Sequence, residues 1–135
     1  MDKFILGKRS ADNLVGVHPK LVEVVKRALE LSAVDFTVIE GVRTPERQKE
    51  LYAQGRTVPG KIVTKSLVSR HFVNESTGFG HAVDIVPLPI DWNNPKPFYF
   101  VADAMKKAAA ELGVKITYGG DWTTFKDLPH YQMEL

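Results

Sequence analysis

Two histidines and one aspartate stand where they could bind a metal ion together. Asp84 lies inside the apolar run 82–86, and His71 and His130 lie in polar segments before and after that run. A carboxylate in a strand built for burial costs several kcal/mol unless it is paired or metal-bound. Two histidines and a carboxylate are a ligand set of the kind that catalytic zinc uses, with the fourth position left for water. The alternatives are a solvent-facing strand residue at position 84 and a tail histidine without a function at position 130.

Asp127 and Arg43 are candidates for the chemistry around such an ion. Asp127 lies three residues before His130, so its carboxylate can lie close enough to a metal-bound water to accept its proton and pass it on. Arg43 lies where a predicted strand ends and a helix begins. Its charge is unfavourable beside the positive helix N-terminus, which favours a role in binding a carboxylate or a developing oxyanion. The alternative is an arginine that only solvates the start of the helix.

The other two histidines are weaker candidates. His18 precedes a predicted helix and has no acidic or histidine neighbour in sequence, so it is interpreted as a helix-boundary residue. His81 is three residues from Asp84, and side chains at that spacing in a strand point to opposite faces. That geometry argues against the two residues binding one ion, and it favours a supporting or substrate-facing role for His81.

The composition is that of one globular domain. The chain has 135 residues, of which 44% are hydrophobic and 25% charged, with a formal net charge of +2. Those values are ordinary for a soluble protein. This small positive charge favours a polyanionic partner, such as a bacterial wall, only weakly. Because the chain also lacks a nucleic-acid-binding motif, no nucleic-acid partner is predicted. The absence of cysteine excludes disulfides, thiolate zinc ligands and cysteine nucleophiles.

No segment is predicted to direct the chain into or through a membrane. The apolar run Phe4–Leu6 is far too short for the hydrophobic region of a signal peptide, and no stretch approaches the length of a membrane span. The sequence therefore predicts a protein that is made and kept in the cytoplasm unless something else releases it.

Three helices and several short strands are predicted to position the candidate residues. One helix follows Pro19, a second runs from the N-cap Thr44 to a stop at Gly55, and a third carries an apolar stripe from Phe98 to Leu112. Strands are predicted at 35–39, 82–86, 114–118 and 131–135, with a turn at 119–120. Residues 54–76 are predicted to form mostly loop. Helices and strands mix without regular βαβ alternation, so the predicted class is α+β.

Four motifs in this chain together resemble the M15 family of zinc peptidases, in the branch of phage endolysins and L-alanyl-D-glutamate or D-alanyl-D-alanine peptidases. The motifs are Gly41-Val42-Arg43-Thr44, Ser69-Arg70-His71, Gly80-His81-Ala82-Val83-Asp84 and Asp127-Leu128-Pro129-His130. Each motif alone is weak, but their order within one small domain is a strong signal. The similarity runs over nearly the whole chain.

The resemblance implies the ligands and catalytic groups of a zinc peptidase. It implies Zn²⁺ held by His71, Asp84 and His130. It also implies that Asp127 is the catalytic acid/base, and that Arg43 polarises the scissile carbonyl or anchors the substrate. The implied fold is a single catalytic domain over residues 1–135, of the small α+β Hedgehog/D-Ala-D-Ala peptidase type, with three helices packed on a small, mostly antiparallel sheet.

Two positions depart from the family pattern. Many members place the first histidine three residues before the glycine, where this chain has Thr77. An insertion between His71 and Gly80 must therefore bring His71 back to the metal by a longer loop. Gln132 stands where an acidic residue commonly follows the final histidine by two, so a neutral amide must supply whatever hydrogen bond that acid makes.

The function implied by the resemblance is cleavage of peptidoglycan stem peptides at the L-alanyl-D-glutamate bond. The enzyme would be a monomeric phage endolysin that reaches the wall after the host membrane is permeabilised. One alternative is a D-alanyl-D-alanine carboxypeptidase or dipeptidase with the same metal site. Another is a non-catalytic zinc-bearing binding domain, against which the presence of Asp127 argues.

Overall fold

The computed structural model describes residues 4–62, 69–123 and 126–134. Its α-helices are α1 (Lys8–Leu14), α2 (Pro19–Leu31), α3 (Pro45–Ala53) and α4 (Lys96–Leu112), and a short 3₁₀ helix spans Gly119–Asp121. Its strands are β1 (Phe36–Glu40), β2 (Ala82–Pro87), β3 (Ile116–Tyr118) and β4 (His130–Met133). Residues 63–68 of the predicted loop lie outside the described residues.

The strands form one antiparallel sheet in the order β1-β2-β4-β3. Successive side chains of a strand point to opposite faces, and this alternation separates the core from the candidate site. Val83, Ile85 and Tyr131 belong to the hydrophobic core, so their strand neighbours Asp84 and His130 point to the other face. One face of the sheet is therefore apolar and packed, and the other carries the predicted ligands.

Helices α2 and α4 pack against each other and share the hydrophobic core with one face of the sheet. Each has an apolar stripe at helical spacing. Leu21 and Val25 are buried on α2, and Val101 and Met105 are buried on α4. Gly113 ends α4 in the left-handed conformation, as a glycine at a helix C-terminus commonly does. The predicted α+β class and both of these helices are confirmed.

The described residues form four α-helices, one more than the three that the sequence predicts. The additional helix, α1, buries only Ser10 and Leu14, so it lacks the apolar periodicity that identifies a helix in sequence. Hydrogen bonds to β1 hold it instead. The Val38 amide donates to Ser10 Oγ at 2.8 Å, and Asn13 Nδ2 donates to the Val38 carbonyl at 2.9 Å. In this way α1 covers the outer edge of the sheet, where strand backbone groups otherwise lack partners.

The other elements lie within two residues of their predicted positions. The strand predicted at 114–118 begins at Ile116, the last strand begins at His130, and the second predicted helix ends at Ala53. The described parts of 54–76 contain no helix or strand, as predicted. None of the helices in the described ranges combines the length and apolar character needed to cross a bilayer.

Replacing Ser10 by Ala should destabilise the fold. The Val38 amide would lose its buried acceptor, and an unsatisfied buried donor costs about 1–3 kcal/mol. Urea denaturation measures the change in the free energy of unfolding. Arg9→Ala, at an exposed position of the same helix, is the control and should change that free energy by less than about 0.5 kcal/mol. Equal stability of Ser10→Ala and the wild type would contradict the role of α1 at the sheet edge.

Candidate metal centre

Asp84 and His130 lie side by side on the sheet face opposite the core. Their Cα positions are paired across β2 and β4, and His130 Nδ1 lies 3.4 Å from Asp84 Oδ1. Asp84 is 8% exposed and His130 is 7% exposed. The alternative of a solvent-facing residue at position 84 is therefore wrong.

His71 joins these two residues from the loop that precedes β2. The chain turns back on itself after His71, because Val73 pairs with Gly80 and the Asn74 amide donates to the Phe79 carbonyl at 2.8 Å. The turn returns His71 to the sheet, where its Nε2 lies 3.2 Å from Asp84 Oδ1. The longer loop that the sequence predicts between His71 and Gly80 is thus a compact turn.

The proton on the His71 ring is fixed by the backbone. His71 Nδ1 lies 2.7 Å from the Gly41 carbonyl oxygen. A carbonyl oxygen can only accept, so Nδ1 carries the proton and Nε2 presents its lone pair. That Nε2 is buried and has no hydrogen-bond partner among the described residues. Gly41 permits this arrangement because a Cβ there would overlap the Asn13 carbonyl of α1.

His130 is fixed in the other tautomer. Its Nε2 lies 2.8 Å from Gln132 Oε1, and Gln132 Nε2 donates to Glu134 Oε2 at 3.0 Å. Because a carboxylate can only accept, Gln132 turns its NH₂ group to Glu134 and its oxygen to His130. His130 therefore carries a proton on Nε2, and Nδ1 is the nitrogen that faces Asp84. Burial alone would lower the pKa of His130, but Asp84 raises that pKa, and Nδ1 is free to bind a cation once the ring is neutral. The predicted hydrogen bond from a neutral amide at position 132 is present.

These donors fit a divalent cation. The ligand atoms of His71, Asp84 and His130 all lie within 4.8 Å of one another. Asp84 Oδ1 is buried without a hydrogen-bond partner in the described ranges, like His71 Nε2, and such orphaned acceptors cost free energy unless a cation lies between them. Burial alone would raise the pKa of Asp84, but the positive charge and hydrogen bonds of His71 and His130 in their protonated forms hold that pKa well below its usual range. Two imidazole nitrogens and an ionised carboxylate are ligands that zinc accepts.

Arg43 holds the other oxygen of Asp84. Its Nη2 lies 3.3 Å from Asp84 Oδ2, and its guanidinium also makes a two-point contact with Glu40 at 2.6 and 2.9 Å. Gln48 Oε1 accepts a further hydrogen bond from Nη1 at 2.8 Å. The Arg43 side chain is only 10% exposed as a result. Glu40 and Gln48 are not predictable from the sequence, since nothing in the local pattern distinguishes them from other polar residues at a strand end or on a helix.

Asp127 lies beside the ligands because the turn before β4 holds its backbone. Its amide donates to the Gly119 carbonyl at 3.0 Å, and its carbonyl accepts from the His130 amide at 3.2 Å. Burial and the negative charge of Asp84 raise the pKa of Asp127 to about 6, against the opposing effect of the nearby cationic groups. A carboxyl with that pKa can both accept and release a proton near neutral pH. A bound divalent cation would lower the pKa, because it adds positive charge nearby.

His81 lies outside the ligand group that the described residues form. Its ring is buried, its Nε2 lies 2.8 Å from Thr77 Oγ1, and its centroid lies 5.5 Å from that of His18. His81 and Thr77 therefore hold together the turn that returns His71 to the sheet. His18 caps α2 by accepting a hydrogen bond from the Lys20 amide at 3.1 Å, so its interpretation as a helix-boundary residue is confirmed.

The chain is similar to known peptidases over almost its full length. The sequence model of a family described as phage L-alanyl-D-glutamate peptidase matches residues 2–134. The L-alanyl-D-glutamate peptidase of Escherichia phage T5 is 36% identical over 127 residues, which cover 92% of this chain and 85% of that protein. The peptidoglycan L-alanyl-D-glutamate endopeptidase CwlK of Bacillus subtilis (strain 168) is 30% identical over 128 residues, which cover 87% of this chain and 73% of that protein.

A solved structure has the same fold. The crystal structure of the L-Ala D-Glu endopeptidase ChiX of Serratia marcescens matches with a TM-score of 0.81 at 38% sequence identity. The match covers 98% of this chain and 92% of that one.

Gly119→Ala should disturb the candidate metal centre. A Cβ at position 119 would overlap the Asp127 carbonyl oxygen and lie 3.0 Å from the Cβ atoms of Asp127 and His130, so the segment carrying both residues must shift. Overpacking of this kind costs about 1–3 kcal/mol, and we expect weaker binding of divalent metal. Thermal unfolding and calorimetric metal titration measure the two effects. Gly7→Ala is the control, because a Cβ there meets no described atom within 4 Å. Unchanged metal affinity in Gly119→Ala would contradict this packing.

Proposed function

This chain belongs to the phage L-alanyl-D-glutamate peptidase family, and on that premise we propose that it is a zinc-dependent endopeptidase that cleaves the L-alanyl-D-glutamate bond of peptidoglycan stem peptides. The observation that carries the proposal is the buried group of His71, Asp84 and His130, whose ligand atoms lie within 4.8 Å of one another. Asp127, beside that group, acts as the general acid/base.

Zn²⁺ is the ion that this donor set suits best. The chain has no cysteine, and two histidines with one carboxylate, plus an open position, are the ligand arrangement of catalytic zinc. When bound, Zn²⁺ would supply a lowered pKa for a water molecule and polarisation of a carbonyl oxygen. In the neutral rings, the hydrogen bonds to the Gly41 carbonyl and the Gln132 amide place the ring proton on the far nitrogen, so that the metal-facing nitrogen is the free acceptor.

Asp127 is the residue that we assign to proton transfer. A bound cation would lower its raised pKa and keep the carboxyl ionised, so that the carboxylate can accept a proton from the attacking water on one oxygen and then donate it to the amine nitrogen of the leaving group. The same group serves both steps because the departing nitrogen must be protonated as the C–N bond breaks. The hydrogen bond to Gly119 keeps the backbone of Asp127 in place during both steps.

We assign Arg43 two parts in the reaction. It orients Asp84 by binding Oδ2, so that Oδ1 faces the metal position. Among the residues that the structure describes, its four hydrogen bonds to Glu40, Gln48 and Asp84 leave one guanidinium N–H. We assign that remaining N–H to the substrate, where it polarises the scissile carbonyl; this is one of the two roles that the family resemblance implies for Arg43.

The activities for which the relatives are named support the choice of bond. The proteins of phage T5, B. subtilis and S. marcescens are each described as cleaving between L-alanine and D-glutamate, and the B. subtilis protein is described as acting on peptidoglycan. We infer the same substrate class here. We further propose a monomeric endolysin with one catalytic domain, which acts on the host wall once the membrane has been permeabilised.

Metal analysis combined with digestion of purified peptidoglycan tests the proposal. We expect about one zinc ion per chain, and mass spectrometry should find new amino termini on D-glutamate. Chelation should abolish digestion and added Zn²⁺ should restore it. Release of free D-alanine would indicate the alternative D-alanyl-D-alanine carboxypeptidase instead. A folded protein that takes up no metal would overturn the zinc site.

Asp127→Asn should retain zinc and lose turnover. An amide cannot accept the proton, and general acid–base catalysis contributes about 10²–10⁴-fold to rates. Zinc content and the rate of amino-terminus release are measured on the same preparation. Asp121→Asn is the control, because Asp121 is an exposed carboxylate paired with Lys106 at 2.8 Å.

Two outcomes would contradict the assignment of Asp127. Wild-type turnover in Asp127→Asn would exclude it as the acid/base, and loss of zinc together with activity would assign it to metal binding. If the zinc-loaded wild type cleaves no stem peptide, the non-catalytic binding domain becomes the better description.

A further inference from the structure

We propose that Gln132, Glu134 and Arg70 form a positioning relay that selects the metal-binding tautomer of His130. The inference rests on the proposed metal site and deepens it. Neither Gln132 nor Glu134 belongs to the four motifs that identify the family in this sequence.

The relay is a continuous chain of polar contacts from the surface to the metal centre. Arg70 Nη1 donates to Glu134 Oε1 at 3.0 Å, and Gln132 Nε2 donates to Glu134 Oε2 at 3.0 Å. Gln132 Oε1 then faces His130 Nε2 at 2.8 Å. The Arg70 and Glu134 side chains are 53% and 23% exposed, whereas His130 is buried. The ion pair therefore lies at the rim of the site, and the amide connects it to the ligand.

Glu134 decides the direction of every hydrogen bond in the relay. A glutamine alone imposes no direction on a histidine, because its amide can turn over and present either the oxygen or the NH₂ group. A carboxylate only accepts, so Glu134 draws the NH₂ group of Gln132 toward itself and leaves the amide oxygen facing His130. His130 must then donate from Nε2. With the amide reversed, the proton would lie on Nδ1 and the lone pair that faces Asp84 would be lost.

Arg70 also connects the relay to the segment of the other histidine ligand. It precedes His71 in sequence, and its carbonyl accepts from the His81 amide at 3.0 Å. The His81 carbonyl in turn accepts from the Met133 amide at 2.7 Å. The Arg70–Glu134 ion pair therefore lies over a stretch where the segment of His71 and the end of β4 are already joined by the backbone. The relay therefore fixes the segments of both histidine ligands relative to each other.

The residue types at positions 132 and 134 are a matched pair. Their contacting side-chain atoms are 3.0 Å apart, so carboxylates at both positions would place two negative charges in contact. One carboxylate and one amide avoid this and still satisfy His130 and Arg70. The chain has the amide beside His130 and the charge one hydrogen bond farther out.

Zinc titration of the metal-free protein against a competing chelator tests the relay. Gln132→Met removes the acceptor and should weaken zinc binding by about 10–100-fold. Gln132→Glu alone should also weaken it, because it creates the two-carboxylate contact. The double variant Gln132→Glu/Glu134→Gln should recover the wild-type affinity or exceed it, since His130 and Arg70 again have acceptors.

Nitrogen-15 NMR of the imidazole rings reports which nitrogen of His130 carries the proton. A residue that only stabilises the fold would not change this when it is replaced. In the metal-free protein, at a pH where the ring is neutral, His130 should carry its proton on Nε2 in the wild type and in the double variant, and should lose that preference in Gln132→Met. Glu134→Gln should weaken zinc binding, whereas Glu111→Gln should not. The control is matched because Glu111 is likewise a carboxylate paired with an arginine, Arg27, at 2.6 Å.

Wild-type affinity together with an unchanged His130 tautomer in Gln132→Met would overturn the relay. So would a folded double variant that stays as weak as Gln132→Glu. If Gln132→Met does not fold, equal zinc affinities of Glu134→Gln and Glu111→Gln would overturn it. A wild-type protein that binds no zinc would refute the proposed function, and the His130 tautomer in that protein would still decide the relay.

Discussion

Asp84 is an ionised carboxylate in the interior of the protein, and the groups around it are arranged to keep it charged. An isolated carboxylate in such a position would take up a proton. Here Oδ2 is held by Arg43 at 3.3 Å, while Oδ1 faces the ring nitrogens of His71 and His130 at 3.2 and 3.4 Å. A divalent cation between those three ligands would add the remaining positive charge. The cross-strand pairing, the turn after His71 and the buried arginine all bring groups to this one carboxylate.

Each of the two histidines is oriented toward Asp84 by a hydrogen-bond acceptor on the far side of its ring, and the acceptor differs between them. Behind His71 stands the Gly41 carbonyl, and behind His130 stands an amide whose orientation is set by Glu134. Both the carbonyl and the carboxylate can only accept hydrogen bonds. Each therefore draws a proton to the far side of its imidazole, so that the nitrogen facing Asp84 is the one that a cation would bind. A site of this kind is prepared for a cation by hydrogen-bond direction as well as by charge.

The two faces of the sheet have different roles: one is part of the hydrophobic core, and the other carries residues of the candidate site. Its apolar face packs with α2 and α4, and its opposite face carries Asp84 and His130. Helix α1 contacts both the sheet edge and the candidate site. It binds the outer side of β1, and its Asn13 carbonyl packs against Gly41. That contact accepts only a glycine at position 41, whose carbonyl holds His71. The helix that covers the sheet edge thus also supports, from a distance, one of the candidate metal ligands.

The sequence by itself determined the residue types and most of the elements. The apolar stripes of α2 and α4 and the β-forming runs are local patterns, so they can be read from neighbours in the chain. The order of four short motifs identified the family and the candidate residues His71, Asp84, Asp127, His130 and Arg43. Only the tertiary structure decided which side chains meet. Helix α1, the contacts of Arg43 with Glu40 and Gln48, and the contact of Glu134 with Arg70 depend on distances and hydrogen-bond directions between segments, which no local pattern encodes.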